Sequence, residues 1–186
     1  MQLIKKINHY LKRHQGILII LFLVLLIGAI FLRYLKPFFI GVLLLILVTL
    51  SALCSRIVPK YGTGFECIML ATVLMGYIYG SPYGALFGCF CVILYYLFAG
   101  QFTPEIIAFI PLYLLVGLLV PFFTFSSITT IGIIFTLIYD IISVLLSVFM
   151  FGMSIEENVI FFFTNLGFNY LLFSYLAPFI LRLATL

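Results

Sequence analysis

The stretch GFECIMLATVLMGYIYGSPYGALFGCFCVILYYLFAG, running from Gly64 to Gly100, decides the fold. Within it Gly76, Gly80, Gly84 and Gly88 recur every four residues in an otherwise apolar run, with Pro82 between the middle two. Glycine has no Cβ, so a stripe of this kind lets the backbones of two membrane helices approach closely enough for dispersion contacts to hold them together. Proline cannot donate to a helical ladder. The stretch therefore predicts a short hairpin with arms over 65–81 and 83–99, turning at Ser81-Pro82-Tyr83, with the four glycines acting in helix packing.

The rest of the chain fits that reading. Of 186 residues, 66% are hydrophobic and only 8% are charged, too few polar groups to clothe a water-facing surface of this size. At 1.5 Å rise per residue there is room for roughly six to eight membrane helices and no soluble domain. The sequence has no GxxxxGK(S/T) phosphate loop and no HExxH, and His9 and His14 stand in a basic leader, MQLIKKINHYLKRHQ. The reading is of a non-enzymatic membrane protein with no cofactor, no metal and no nucleic-acid partner, for which any energy comes from another subunit.

Apolar runs bounded by charge, Pro or Gly give seven spans: 16–35, 38–58, 65–81, 83–99, 104–124, 128–151 and 158–184. The first run starts only at Gly16 and no small-residue cleavage site follows, which reads as a retained span rather than a cleaved signal. The expected organisation is all-α and polytopic: a basic leader over 1–15, an added membrane helix over 16–37 and a six-helix core over 38–186. Tyrosines such as Tyr10, Tyr34 and Tyr61 serve as interfacial anchors in a chain without tryptophan. Pro111, Pro121 and Pro178 predict kinks, which open cavities in bundles. Cys54, Cys67, Cys89 and Cys91 read as small apolar packers. Cys89 and Cys91, two apart on a helix, point to different faces and cannot share a metal.

Short connections make neighbouring spans antiparallel, and this sorts the charges. Glu66, Glu105, Glu156 and Glu157 fall on one membrane face, and Arg33, Lys36 and Arg182 on the other. Lys5, Lys6, Lys12 and Arg13, with Arg56 and Lys60, share the carboxylate face if the first span crosses, so the positive-inside tendency places that face in the cytoplasm. Asp140 lies in mid-span in TLIYDIISV, where a carboxylate must be neutral, paired or hydrated and marks a functional site by default. Asn165 and Asn169, four apart in NLGFNYLLF with Tyr170 beside the second, share one helix face and are expected to look inward. Inter-helix hydrogen bonding and the lining of a polar pocket both account for that face.

From Arg56 to Phe123 the chain resembles the signature region of the Gx-transporter superfamily, which includes the substrate-binding S subunits of energy-coupling factor transporters. The resemblance rests on the glycine-flanked hairpin, the polar loop QFTPE, the helix IPLYLLVGLLVPF and the terminal NLGFNYLLFSYLAPFILRL, in that order, and covers residues 38–184. It implies a six-helix subunit of the plasma membrane that binds a vitamin-like or cationic micronutrient for uptake, working with a transmembrane coupling protein and ATPase subunits, among membrane lipid. The ligand-site positions would then hold Glu66, Glu105 and Glu156 or Glu157, with Glu66 and Glu105 as the loop-side ligand contacts. Asn165, Asn169 and Tyr170 would line the cavity, Asp140 would tune it, and Ser51, Ala52 and Ser55 would form the small-residue surface for partner docking. Family topology places Arg33, Lys36 and Arg182 in the cytoplasm, opposite to the positive-inside count. The rod-shape-determining membrane protein D family is a relative in the same superfamily and implies the alternative role of a membrane scaffold.

Overall fold

The structure, a computed structural model, describes Leu23, residues 35–57 and residues 64–185. It divides into two compact units, Met1–Phe39 and Ile40–Leu186, and the architecture below is that of the second, whose first helix has its opening residues 35–39 in the first unit. Its elements are α1 (Leu35–Ile57), α2 (Ile68–Tyr79), α3 (Ser81–Ala99), α4 (Ile106–Phe123), α5 (Ile128–Phe151) and α6 (Ile155–Thr185). No strand occurs among the described residues, and the fold is an all-α helical bundle. Five of these helices are long and apolar enough to cross a membrane, which makes this a multi-pass membrane protein. The basic leader over 1–15 and the added helix over 16–37 lie outside the described residues, apart from Leu23 and the opening of α1, which begins at Leu35 rather than 38.

The helix too short to cross is α2, and it forms the middle of the bundle. Its 12 residues rise about 18 Å, well under the ~30 Å of a hydrocarbon core. Every residue from Ile68 to Gly76 is buried, so that part of α2 has no exposed side, and only its end, Tyr77–Tyr79, is half-buried. Its lead-in, Gly64–Cys67, is irregular backbone held inside the bundle. The Gly64 N–H donates to Thr164 Oγ1 of α6 at 3.0 Å, and the Cys67 N–H to Ser51 Oγ of α1 at 3.3 Å. Non-helical backbone at membrane depth is tolerated where protein covers it and supplies partners, as here.

The predicted hairpin is present, with its turn displaced. It turns on Gly80 alone, at φ 95°, a conformation that L side chains rarely adopt, and α3 starts at Ser81 with Pro82 in its first turn. Proline fits there because the first N–H groups of a helix have no intrahelical partner to lose. The arm expected from residue 65 is helical only from Ile68. Gly76, Gly84 and Gly88 act in packing as expected, whereas Gly80 is a turn residue with nothing within 4 Å of a Cβ built on it. A Cβ on Gly84 would meet the Gly76 backbone at 2.6 Å and the Gly117 carbonyl at 2.8 Å, and one on Gly88 would meet the Thr72 side chain at 2.8 Å. Gly117 of α4, absent from the predicted stripe, closes the junction against the backbone of Gly84 and Ala85.

The remaining helices alternate in direction around α2. The α5–α6 pair is antiparallel, with Thr129 donating to the Phe173 carbonyl at 2.8 Å near one end and Asn165 bonding Asp140 nearer the middle. Ser127 and Ser154 cap α5 and α6, accepting from the N–H of Thr130 and Glu157 at 3.1 and 3.2 Å. Pro111 is carried within α4 without a break, and Pro121 coincides with tightening of its last turn, Val120–Phe123, to a 3-10 form. Pro178 follows a π-turn, Leu172–Leu176, in which the Ala177 N–H reaches back five residues to the Leu172 carbonyl. A proline ring clashes with the carbonyl four residues earlier, and the wider turn makes room for it.

The glycine junction gives a direct test. Gly84→Ala should cost about 1–3 kcal/mol, because its methyl meets backbone that cannot swing aside. Gly167→Ala on α6, with nothing within 4 Å, should be neutral or stabilising by up to ~1 kcal/mol. Thermal unfolding of the two variants in one detergent checks this, and equal losses would remove the close-packing account.

Candidate functional site

On α5 the inward stripe is small or polar: Gly132, Thr136, Asp140, Ser143 and Ser147 are spaced to share one face. Thr136 Oγ1 donates to the Gly132 carbonyl at 2.7 Å and Ser143 Oγ to the Asp140 carbonyl at 3.0 Å, so these hydroxyls are satisfied on their own helix. Asp140 alone reaches across. Its Oδ1 accepts from Asn165 Nδ2 at 2.6 Å, and Asn165 Oδ1 accepts from Asn169 Nδ2 at 2.8 Å. All three residues are fully buried. Gly64 of the lead-in presses on the backbone and Cβ of Asn165, so no side chain larger than hydrogen fits between them.

A second buried cluster adjoins the first through consecutive residues of α5. Glu66, expected on a loop surface, is buried, and its carboxyl accepts from the Tyr113 hydroxyl of α4. The Tyr113 ring lies against that of Tyr139, centroids 4.6 Å apart, and Tyr139 precedes Asp140. The lead-in and α4 thus hold one buried carboxyl group and α5 and α6 a second with two amides, and the two clusters, linked along α5 by Tyr139 and Asp140, make up the polar centre of the bundle. Asp140 Oδ2 and Asn169 Oδ1 have no hydrogen-bond partner, and among the described residues only one other buried side-chain polar atom, Tyr79 OH, lacks one.

Not every expected residue joins this centre. Glu105 stands half-buried at the start of α4, where partial burial raises its carboxyl above the usual range. Glu156 is exposed and Glu157 half-buried in the first turn of α6, where a carboxylate complements the helix dipole. Tyr170 points away from the amides: it is exposed, because the residue after Asn169 sits about 100° further round the helix. Of the residues expected to form the partner-docking surface, Ser51 and Ala52 are buried and Ser55 is half-buried. Ser51 and Ser55 instead line a groove of about 390 Å³ between α1, the lead-in and α6, whose other walls include Leu50, Phe65, Cys67, Phe168 and Leu172. Phe65 and Cys67 face this groove while Glu66, between them, faces the polar centre.

Tyr113 and Tyr139 were not anticipated as site residues, because two tyrosines in apolar spans resemble the chain's ten others. The residue beside the mid-span aspartate was the one available signal. Cys54, Cys67, Cys89 and Cys91 are free thiols, and no group of three or more His, Cys, Asp or Glu side chains that could hold a metal occurs among the described residues. Comparison with protein-family models, with curated proteins and with solved structures finds no match to this chain.

The Glu66–Tyr113 bond ties the lead-in to α4, and its loss should be felt. Tyr113→Phe should lower stability by about 1–3 kcal/mol by leaving a buried carboxyl short of its donor. Tyr170→Phe should change it by less than about 0.5 kcal/mol, since Tyr170 touches neither cluster. Thermal unfolding of the two variants side by side checks both expectations.

Proposed function

We propose that this protein is a substrate-capturing subunit of the plasma membrane, similar in kind to the S subunits of energy-coupling factor transporters, which takes up a small polar molecule and depends on separate coupling and ATP-hydrolysing partners. The observation that carries the reading is the buried polar centre with its unpartnered acceptors. Glu66, Asp140, Asn165 and Asn169 are buried at helix depth, and two of their acceptor atoms are left without partners. Buried unpaired polar atoms and carboxylates cost stability, and a bundle that needed only to hold its shape would do better with apolar residues there. A ligand that supplies the missing partners accounts for their retention.

The lead-in supports the same reading. An irregular segment that places Glu66 against α4 and Gly64 against α6 sits between the apolar groove and the polar centre, so small movements of a few residues would alter access. Because Ser51 and Ala52 face inward, a coupling partner would engage another part of the outer helix surface.

Native mass spectrometry of the gently purified protein tests the proposal. A discrete small-molecule adduct is expected, weakened at least tenfold by Asp140→Asn and by Glu66→Gln but little changed by Glu105→Gln. A mass accounted for by protein and lipid alone, repeated across growth media, would favour the scaffold role over capture.

A further inference from the structure

The polar centre has a direction to its hydrogen bonding, and that direction specifies the ligand's chemistry. Asp140, when ionised, only accepts, so Asn165 must present its amide nitrogen to it; a flipped amide would set carbonyl oxygen against carboxylate. That orientation turns Asn165 Oδ1 toward Asn169, which must answer with its own nitrogen. Asn169 Nδ2 also donates to the Asn165 backbone carbonyl at 3.1 Å. Each amide nitrogen is therefore engaged within the network, Asn169 Nδ2 with both of its N–H groups and Asn165 Nδ2 with one of its two, and the atoms with no partner at all, Asp140 Oδ2 and Asn169 Oδ1, are both acceptors in fully buried residues.

The charge has the same sense. Glu66 and Asp140 bring two carboxyl groups into the centre, while the described cationic side chains, Lys36, Arg56 and Arg182, are all exposed. A neutral hydroxyl compound would satisfy the acceptors but not the charge. A carboxylate or phosphate would add acceptors and negative charge to a site already in excess of both. The complement is a group that carries positive charge and N–H donors and has no acceptor of its own.

We propose that the Asp140–Asn165–Asn169 network is the receptor for a protonated amine, whose N–H groups meet Asp140 Oδ2 and Asn169 Oδ1. This rests on the capture reading above and names the class of substrate. It assigns recognition to the helix-borne network in preference to the loop-side Glu105, Glu156 and Glu157, which are exposed or half-buried at helix starts.

The test is thermal unfolding of the purified full chain at constant ionic strength, titrating methylammonium, ammonium or sodium chloride against choline chloride, whose nitrogen bears no N–H. A ligand that binds only the folded state raises the unfolding midpoint as its concentration passes the dissociation constant. Methylammonium and ammonium should raise it in a saturable way, sodium should not, and Asp140→Asn should shift the half-effect concentration at least tenfold upward. If that variant fails to fold, Asn169→Leu, which keeps the carboxylate and removes the second acceptor, carries the comparison. A response to sodium alone, a response equal for all cations, or no response would each overturn the amine assignment; the last would leave Asp140 as a protonated, self-contained hydrogen-bonding group. A neutral adduct in the native mass spectrum that methylammonium does not displace would also overturn it while leaving capture intact. Saturable methylammonium binding without any co-purified ligand or uptake would uphold the amine site and remove capture.

Discussion

Contact between backbones at Gly76, Gly84 and Gly117 is the constraint on which the rest of the bundle depends. Three helices meet there with no side chain between them, so α3 and α4 close directly on α2. A helix of 12 residues cannot reach both membrane interfaces, and the first nine residues of α2 are buried on every side. It is stable only if neighbours cover it completely, and glycine at each crossing lets them come near enough to do so. The turn on Gly80 follows from this: with the Gly76 and Gly84 backbones in contact, the connection between the arms is confined to one residue, and positive φ accomplishes the reversal.

Because α2 is short, the chain must enter the bundle as irregular backbone, and this creates the polar centre. Gly64–Cys67 brings amide groups into the bundle, and Thr164, Ser51 and the Gly64 carbonyl accept from the N–H groups of Gly64, Cys67 and Glu66. Glu66 is carried inward on the same segment to the hydroxyl of Tyr113. Close packing and buried polarity thus meet on α2: the glycine junction closes one end of it, and the lead-in at the other end carries a carboxyl group inside. Asp140 and the two asparagines add the second cluster from α5 and α6, helices whose capping is otherwise ordinary.

Much of this was legible in the amino-acid sequence, unevenly. The hairpin, the bounds of α5 and the inward asparagine face followed from glycine spacing, apolar run length and the rule that residues four apart share a face. Asp140 stood out because a carboxylate in an apolar run has few affordable explanations. Glu66 was misplaced because its neighbours read as the end of a span, and only tertiary packing reveals that the lead-in dips into the bundle. Gly117 does not show in the glycine spacing because that spacing runs along the hairpin, whereas Gly117 answers glycines on two other helices. Tyr170 was included on adjacency to Asn169, which on a helix is a poor guide to orientation: adjacent residues diverge by about 100°.

The π-turn at Leu172–Leu176 has a geometric consequence for α6. Residues Asn165, Asn169, Phe173 and Ala177 are all buried at intervals of four, yet on a plain α-helix such a series creeps about 40° round the axis at every step. A turn that holds an additional residue lags behind, cancelling part of this precession and keeping both the polar upper half and the apolar lower half of α6 trained on α5. Deleting one residue from it would make the helix regular and wheel everything beyond by about 100°, turning Ala177 and Ile180 out toward lipid while the asparagines stayed where they are. The two halves of the longest helix are therefore phased independently, and the irregular turn is the phase-setter.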